Sequence, residues 1–297
     1  TYQNKYTLNA SYRYDGSSTL PVKNRWHGFY SVGFAWNVKK ENFLANSEFI
    51  NDLRFRASYG TTASPFPGNF TYLPTFATTS YGGNSGIYPY AYGSANYDWE
   101  YAKDLNIGFD LDVWNNRIHL VTDIYNKETA NLFLDLPVSL TSGVGALPLN
   151  AGSMRNRGIE TELRVDVIRN ESLKWNVGLN FAYNKNKITS LAGSEGFEKN
   201  TTEIVREGLP YGSHYAPKWA GVDQKTGDPL YYNPDGSKTS DYYATTMSVA
   251  EFGSLYPPFT GGFNTSLTYK GINLTALFSF ANHVYRYNNE DYYNENP

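Results

Sequence analysis

Nine stretches of this chain alternate apolar and polar residues with a period of two, the spacing that puts successive side chains on opposite faces of a strand. The clearest lies between Asn150 and Val167. After an opening rich in Asn and Gly, residues suited to a turn, Ile159, Thr161, Leu163, Val165 and Val167 fall on one face and Glu160, Glu162, Arg164 and Asp166 on the other. The same pattern runs from Lys5 to Tyr14 (apolar set from Tyr6), Phe29 to Val38 (from Tyr30) and Leu53 to Thr61. It returns in the strands whose apolar sets begin at Leu105, Trp175, Phe263 and Ile272. Between Ile118 and Leu136 it is less regular, because Val121 and Tyr125 sit on the polar face, and a bulge is expected there.

The connections sort by length. Those after the second, fourth, sixth and eighth strands are shorter, and three are tight turns (Trp114–Arg117, Arg169–Ser172, Lys270–Gly271). Those after the first, third, fifth and seventh are long, above all Thr62 to Glu100 and Thr189 to Gly261. Consecutive antiparallel strands reverse direction, so all the long connections emerge at one end. Short turns at one rim and long loops at the other is the pattern of a bacterial outer-membrane barrel, with the long loops outside the cell. A soluble sandwich has no reason to segregate them.

Composition then becomes intelligible. Mean hydropathy is -0.53, charged residues make up 18%, and no apolar run approaches the ~18 residues of a membrane helix. Yet Tyr 27, Phe 17 and Trp 6 make the chain 17% aromatic. Polar loops and a polar lumen lower the average, while aromatic girdles raise the ring count. Trp36, Trp114 and Trp175, near strand ends, read as girdle. A net charge of -3 without a basic stripe argues against nucleic acid, and the absence of cysteine excludes disulfides and thiolate metal sites. The expected fold is all-β, an antiparallel transmembrane β-barrel. Nine strands would leave two unpaired edges, which lipid does not tolerate. The chain therefore reads as part of a larger barrel, missing strands at both ends, and its start at Thr1 reads either as a removed signal peptide or as an internal piece.

RYDGSS and NRWHGFYSVGFAWNV, then NDLRFRASYG, LNIGFDLDVWNNRIHLVTDIYNKETANLFLDLPVSLTSG and NAGSMRNRGIETEL together resemble the SusC-like family of TonB-dependent outer-membrane transporters. WAGVDQKTGDPLYY is similar to a loop these proteins carry. The resemblance covers nearly all of the chain and a late portion of the family's barrel. It implies a barrel of about 22 strands around a plug, a SusD-like lipoprotein over the extracellular mouth, and energy coupling by the TonB complex through an N-terminal region absent from this sequence.

Candidate sites follow from the two faces and the loops. Glu160 and Glu162 share a face two residues apart, but Arg164 and Asp166 extend the same row, and paired glycosidase carboxylates normally come from different elements. These four, with Arg54, Arg56, Asp110 and Asp112, read as lumen wall, and no catalytic role is expected. The four histidines lack metal-ligand spacing. Asp223–Asp228 (DQKTGD) hints at a calcium loop without its alternating ligands and is expected to be a plain turn. The stronger functional candidates are loop aromatics: Tyr88, Tyr90, Tyr92, Tyr97 and Trp99 in one long loop, and Tyr211, Tyr215, Trp219, Tyr231 and Tyr232 in the other. Such rings can stack on sugars, contact peptide or meet a lid protein, or they can pack loop on loop. Three functions are carried: import of an oligomeric nutrient, glycan or peptide; a structural or assembly barrel of the same descent; and a soluble sugar-binding β-domain.

Overall fold

The computed structural model describes all 297 residues except 66–67, 194–195, 201, 234, 243–247, 289, 292–293 and 295–297. The nine stretches are nine strands of one sheet: β1 (Tyr6–Gly16), β2 (Trp26–Asn37), β3 (Ile50–Ser64), β4 (Glu100–Val113), β5 (Ile118–Pro137), β6 (Ala146–Arg169), β7 (Leu173–Leu191), β8 (Phe259–Tyr269) and β9 (Ile272–Asn282). They lie side by side in chain order, each antiparallel to the next, and β1 and β9 each have one neighbour in the sheet.

The register joins the nine separate alternations into two continuous faces. Val32 lies opposite Tyr59, Tyr59 opposite Leu105, and Phe55 opposite Phe109. Ile124 meets Ile107 and Ile159, Leu163 meets Leu120 and Leu179, and Phe263 meets Leu179 and Phe278. Directly opposed residues share a face, and a slip of one residue in any ladder would break the pattern. Eight ladders agree on one apolar face, whose large side chains (Leu8, Phe34, Ile107, Leu179, Phe278) remain exposed in the isolated chain.

Two local expectations are corrected. No turn interrupts residues 150–158: β6 is continuous over 24 residues and pairs with β5 and β7 through that stretch. The Asn and Gly residues there sit in extended ladder positions, where a partner strand satisfies their backbone. The irregularity of β5 is displaced. The register is unbroken through Val121 and Tyr125, which stay on the charged face, and the bulge falls at Asn131, whose φ is +57°. Tyr125 fits because its partner is Gly158, where a Cβ would stand 2.4 Å from the Tyr125 hydroxyl. Both long connections carry paired strands of their own. Residues 65–99 contain a hairpin of Thr75–Tyr81 with Asn84–Ala91. Residues 192–258 contain a four-stranded sheet and a three-stranded one, the latter formed by Trp219–Val222, Pro229–Tyr232 and Lys238–Thr239.

β5, β6 and β7 have 20, 24 and 19 residues, against the ~9–11 that cross a bilayer. Their extra length rises at the long-loop end and carries the loops.

Candidate functional site: the charged wall and the long-loop rim

The charged face is a built electrostatic surface. Arg56 donates from Nη2 to Asp110 at 2.8 Å and from Nη1 to Asp123 at 3.0 Å, so one guanidinium clamps two carboxylates on different strands. It reaches Asp123 across Gly108, which lies between them in the row. A Cβ at Gly108 would come within 2.3 Å of Asp123 Oδ1. Asp112 faces His119 across the β4–β5 ladder and bonds its Nδ1. Arg164 pairs with Glu162 at 2.9 Å, Arg54 with Asp52 at 3.8 Å, and Asp166 accepts from Asn176. Glu160 lies on the same face beside the Asp123 position. The eight residues singled out from the sequence thus share one face. Asp123 was missed, because Val121 and Tyr125 on either side disguised the polar register of β5.

At the long-loop end, loop meets loop. Leu20, Phe29, Tyr97 and Trp99 form a buried cluster, with Tyr72, Phe133 and Leu149 against it. Asn24 Nδ2 donates to the Tyr97 carbonyl at 2.7 Å, Trp99 Nε1 to the Asn24 carbonyl at 3.0 Å, and the Tyr97 hydroxyl to the Pro148 carbonyl at 2.6 Å. Asn150 ties the next link: its Oδ1 accepts from the Asp98 amide at 2.9 Å and its Nδ2 donates to the Asn131 carbonyl at 2.9 Å. A second cluster, Leu134, Ile188, Leu191 and Val205, anchors the longest loop to β5 and β7.

The loop aromatics therefore divide. Tyr97 and Trp99, expected as contact residues, are 2% and 5% exposed and form loop core; that expectation is corrected. Tyr211 packs partly against the second cluster, with the Lys199 ammonium 4.8 Å from its ring, and Tyr215 lies half-buried beside the Arg206 guanidinium. Tyr231 and Tyr232 are half-buried in the three-stranded sheet, Tyr231 edge-on to Trp219 and Tyr232 flanked by Lys218 and Lys238. Tyr88, Tyr90 (67% exposed), Tyr92 and Trp219 (54%) present ring surface to solvent, Tyr92 also donating its hydroxyl to the Ser142 carbonyl. Asp223 turns its carboxylate onto the amides of Lys225 and Thr226 within its own turn, at 2.7 and 3.2 Å.

An antiparallel sheet with one continuous apolar face, one charged face and segregated loops defines a segment of barrel wall. The whole chain, residues 1–297, matches the family model described as TonB dependent receptor-like, beta-barrel, and it belongs to that family. It is 32% identical over 255 residues to TonB-dependent receptor P39 of Formosa agariphila, covering 84% of this chain and 24% of that protein. It is 26% identical over 266 residues to TonB-dependent receptor SusC of Bacteroides thetaiotaomicron, covering 80% of this chain and 26% of that one. Among solved structures, the RagAB peptide transporter superposes with a TM-score of 0.90 at 32% identity, over 98% of this chain and 33% of that one. The chain spans about a quarter to a third of the proteins it matches.

Proposed function

We propose that this chain is wall and exterior rim of an outer-membrane active transporter that imports an oligomeric nutrient, peptide or glycan. In this reading the apolar face meets lipid and the charged face lines a plugged lumen. The loops at 65–99 and 192–258 lie outside the cell beneath a SusD-like lipoprotein lid, and TonB supplies the energy. The observation that carries it is the placement of solvent-exposed rings (Tyr88, Tyr90, Trp219) on rigidly built loops at one rim of a wall with a charged inner face. Exposed apolar patches of this kind mark interaction sites. The likeness to the RagAB peptide transporter supports a peptide among such cargoes.

The test replaces Tyr88, Tyr90 and Trp219 with Ala in the full-length receptor. These positions are chosen over Tyr211 and Tyr215, whose rings pack into loop structure. Uptake of a labelled peptide or glycan pool and co-purification of the lid are measured, with heat-modifiable gel mobility as the fold control. Loss of uptake with the lid retained places the rings on the substrate path, and loss of the lid places them in the partner interface. Unchanged uptake and lid association in a folded barrel overturn the assigned role of these rings.

A further inference from the structure

The apolar face changes character abruptly toward the long-loop end. Its row Ile107–Ile124–Ile159–Tyr183 is followed, two residues further along each strand, by Leu105–Asn126–Arg157–Lys185, and then by Lys103–Glu128–Arg155–Lys187. Arg157 stands directly opposite Lys185, and Arg155 directly opposite Lys187. Like charges opposed across a ladder destabilise it. Five cations and one carboxylate occupy these two rows. Glu128 is taken by Arg155 at 2.6 Å, and Arg157 Nε donates to Asn126 Oδ1 at 2.7 Å. Among the described residues Lys103, Lys185 and Lys187 are exposed and their ammonium groups make no hydrogen bond or ion pair, and Arg155 Nε is buried without an acceptor. Lys185 and Lys187 also line a cavity of about 420 Å³ with Tyr183, Tyr256, Tyr285 and His283.

We infer that this outward-facing basic cluster holds the phosphorylated headgroup of a glycolipid in the outer leaflet. Its position selects the ligand. It sits on the apolar side of the wall immediately beyond the aliphatic band, where a headgroup phosphate would lie if the acyl chains covered Ile107, Ile124 and Ile159. Phosphate supplies the anion that the opposed cations lack, and the neighbouring tyrosine rings offer faces to a sugar. The inference rests on the proposed membrane reading and orientation.

The experiment titrates the full-length receptor in detergent with diphosphoryl lipid A and measures bound lipid by native mass spectrometry. The variant combines Arg157→Gln, Lys185→Gln and Lys187→Gln. At about fivefold per surface cation, affinity is expected to fall about 100-fold. Arg157→Lys with Lys185→Arg and Lys187→Arg is expected to bind like the parent, and dephosphorylated lipid A to bind the parent weakly. Binding by the Gln variant within twofold of the parent, equal binding of dephosphorylated lipid, or full displacement by inorganic phosphate overturns the inference. Heat-modifiable mobility of parent and variants is the separate control: a parent lacking it overturns the membrane-barrel reading itself.

Discussion

The two ends of the sheet solve the same problem, reversing the chain, by opposite means. At the short-turn end three of the reversals are tight turns. Trp114, Asn115 and Asn116 take left-handed φ values of 55°, 55° and 57° in succession, with the Arg117 guanidinium 5.3 Å from the Trp114 ring centroid. Asn170 Oδ1 accepts from the amides of Ser172 and Leu173, and Lys270 and Gly271 make the last turn at φ 47° and 88°. At the long-loop end the contacts that join loop to loop are not local. One cluster needs Leu20, Phe29, Tyr97 and Trp99 from three stretches of the chain, and its hydrogen bonds bring in Asn131, Pro148 and Asn150. Such turns are shaped mainly by their own residues. The loop end is a miniature tertiary structure whose parts depend on one another.

The largest effect should follow from breaking the non-local end. Trp99→Ala removes a buried indole and its hydrogen bond to Asn24, and is expected to cost about 3–5 kcal/mol of local stability. Faster protease nicking within residues 65–99 of a barrel that keeps its heat-modifiable mobility is the expected readout. Nicking at the parental rate would show that the loop does not depend on its cluster. Next in size comes the wall that both ends share. Leu179, midway between Trp175 and Tyr183 on β7, is packed between Leu163 and Phe263 on the apolar face. Leu179→Arg is expected to lose about 2–4 kcal/mol in denaturant unfolding from bilayers, whereas Asn180→Arg, one residue on and facing the charged side, should lose much less. Equal losses would abolish the distinction between the faces.

The same contrast explains what could be read from the sequence. Wall and short turns are written in period-two alternation and in residues that tolerate left-handed backbone, both local signals. Strand number, apolar sets and loop segregation were legible for that reason. The continuity of β6 through Asn150–Gly158 was not, because turn-like residues become ordinary strand residues once two neighbouring strands pair with them. Nor could the fates of Tyr97 and Trp99 be separated from those of Tyr88 and Tyr90: all four are aromatic residues in one polar loop. Burial depends on Leu20 and Phe29, more than 65 residues away in sequence. Asp123 was hidden by a Val and a Tyr on the charged face, one accommodated by a glycine on the next strand. Long-range complementarity leaves no periodic trace.

A smaller effect is expected from the short-turn end. Asn116 combines φ +57° with an amide that donates to Asn51 Oδ1 at 2.9 Å. Asn116→Ala should cost about 1 kcal/mol, the penalty of a Cβ in left-handed geometry without a local polar side chain, and Asn116→Gly should fold as well as the parent. Both are read from unfolding midpoints. A Gly variant as weak as the Ala variant would show that the side chain, and not the backbone conformation, holds the turn.

The smallest effect concerns a long-range clasp at that same end, between the start of β1 and the connection after β2. Glu41 accepts hydrogen bonds from the Tyr6 hydroxyl at 2.6 Å, the Lys5 ammonium at 2.9 Å and Trp36 Nε1 at 3.1 Å. Those bonds, Tyr6 first, then Lys5 and Trp36, lower its pKa from 4.5 to about 2. Because the folded value lies below the unfolded one, the unfolded chain takes up the proton first as pH falls. The clasp's contribution is therefore complete above about pH 4.5 and is lost as pH drops from there towards about 2. Hydrogen exchange of residues 2–8, corrected for intrinsic rates, should show full protection above pH 4.5 and declining protection below it. Glu41→Gln keeps an acceptor oxygen but has no proton to gain, so its lower protection should be flat across that window. Parallel curves for parent and Gln variant would mean that the carboxylate's charge does not hold β1 to the rim.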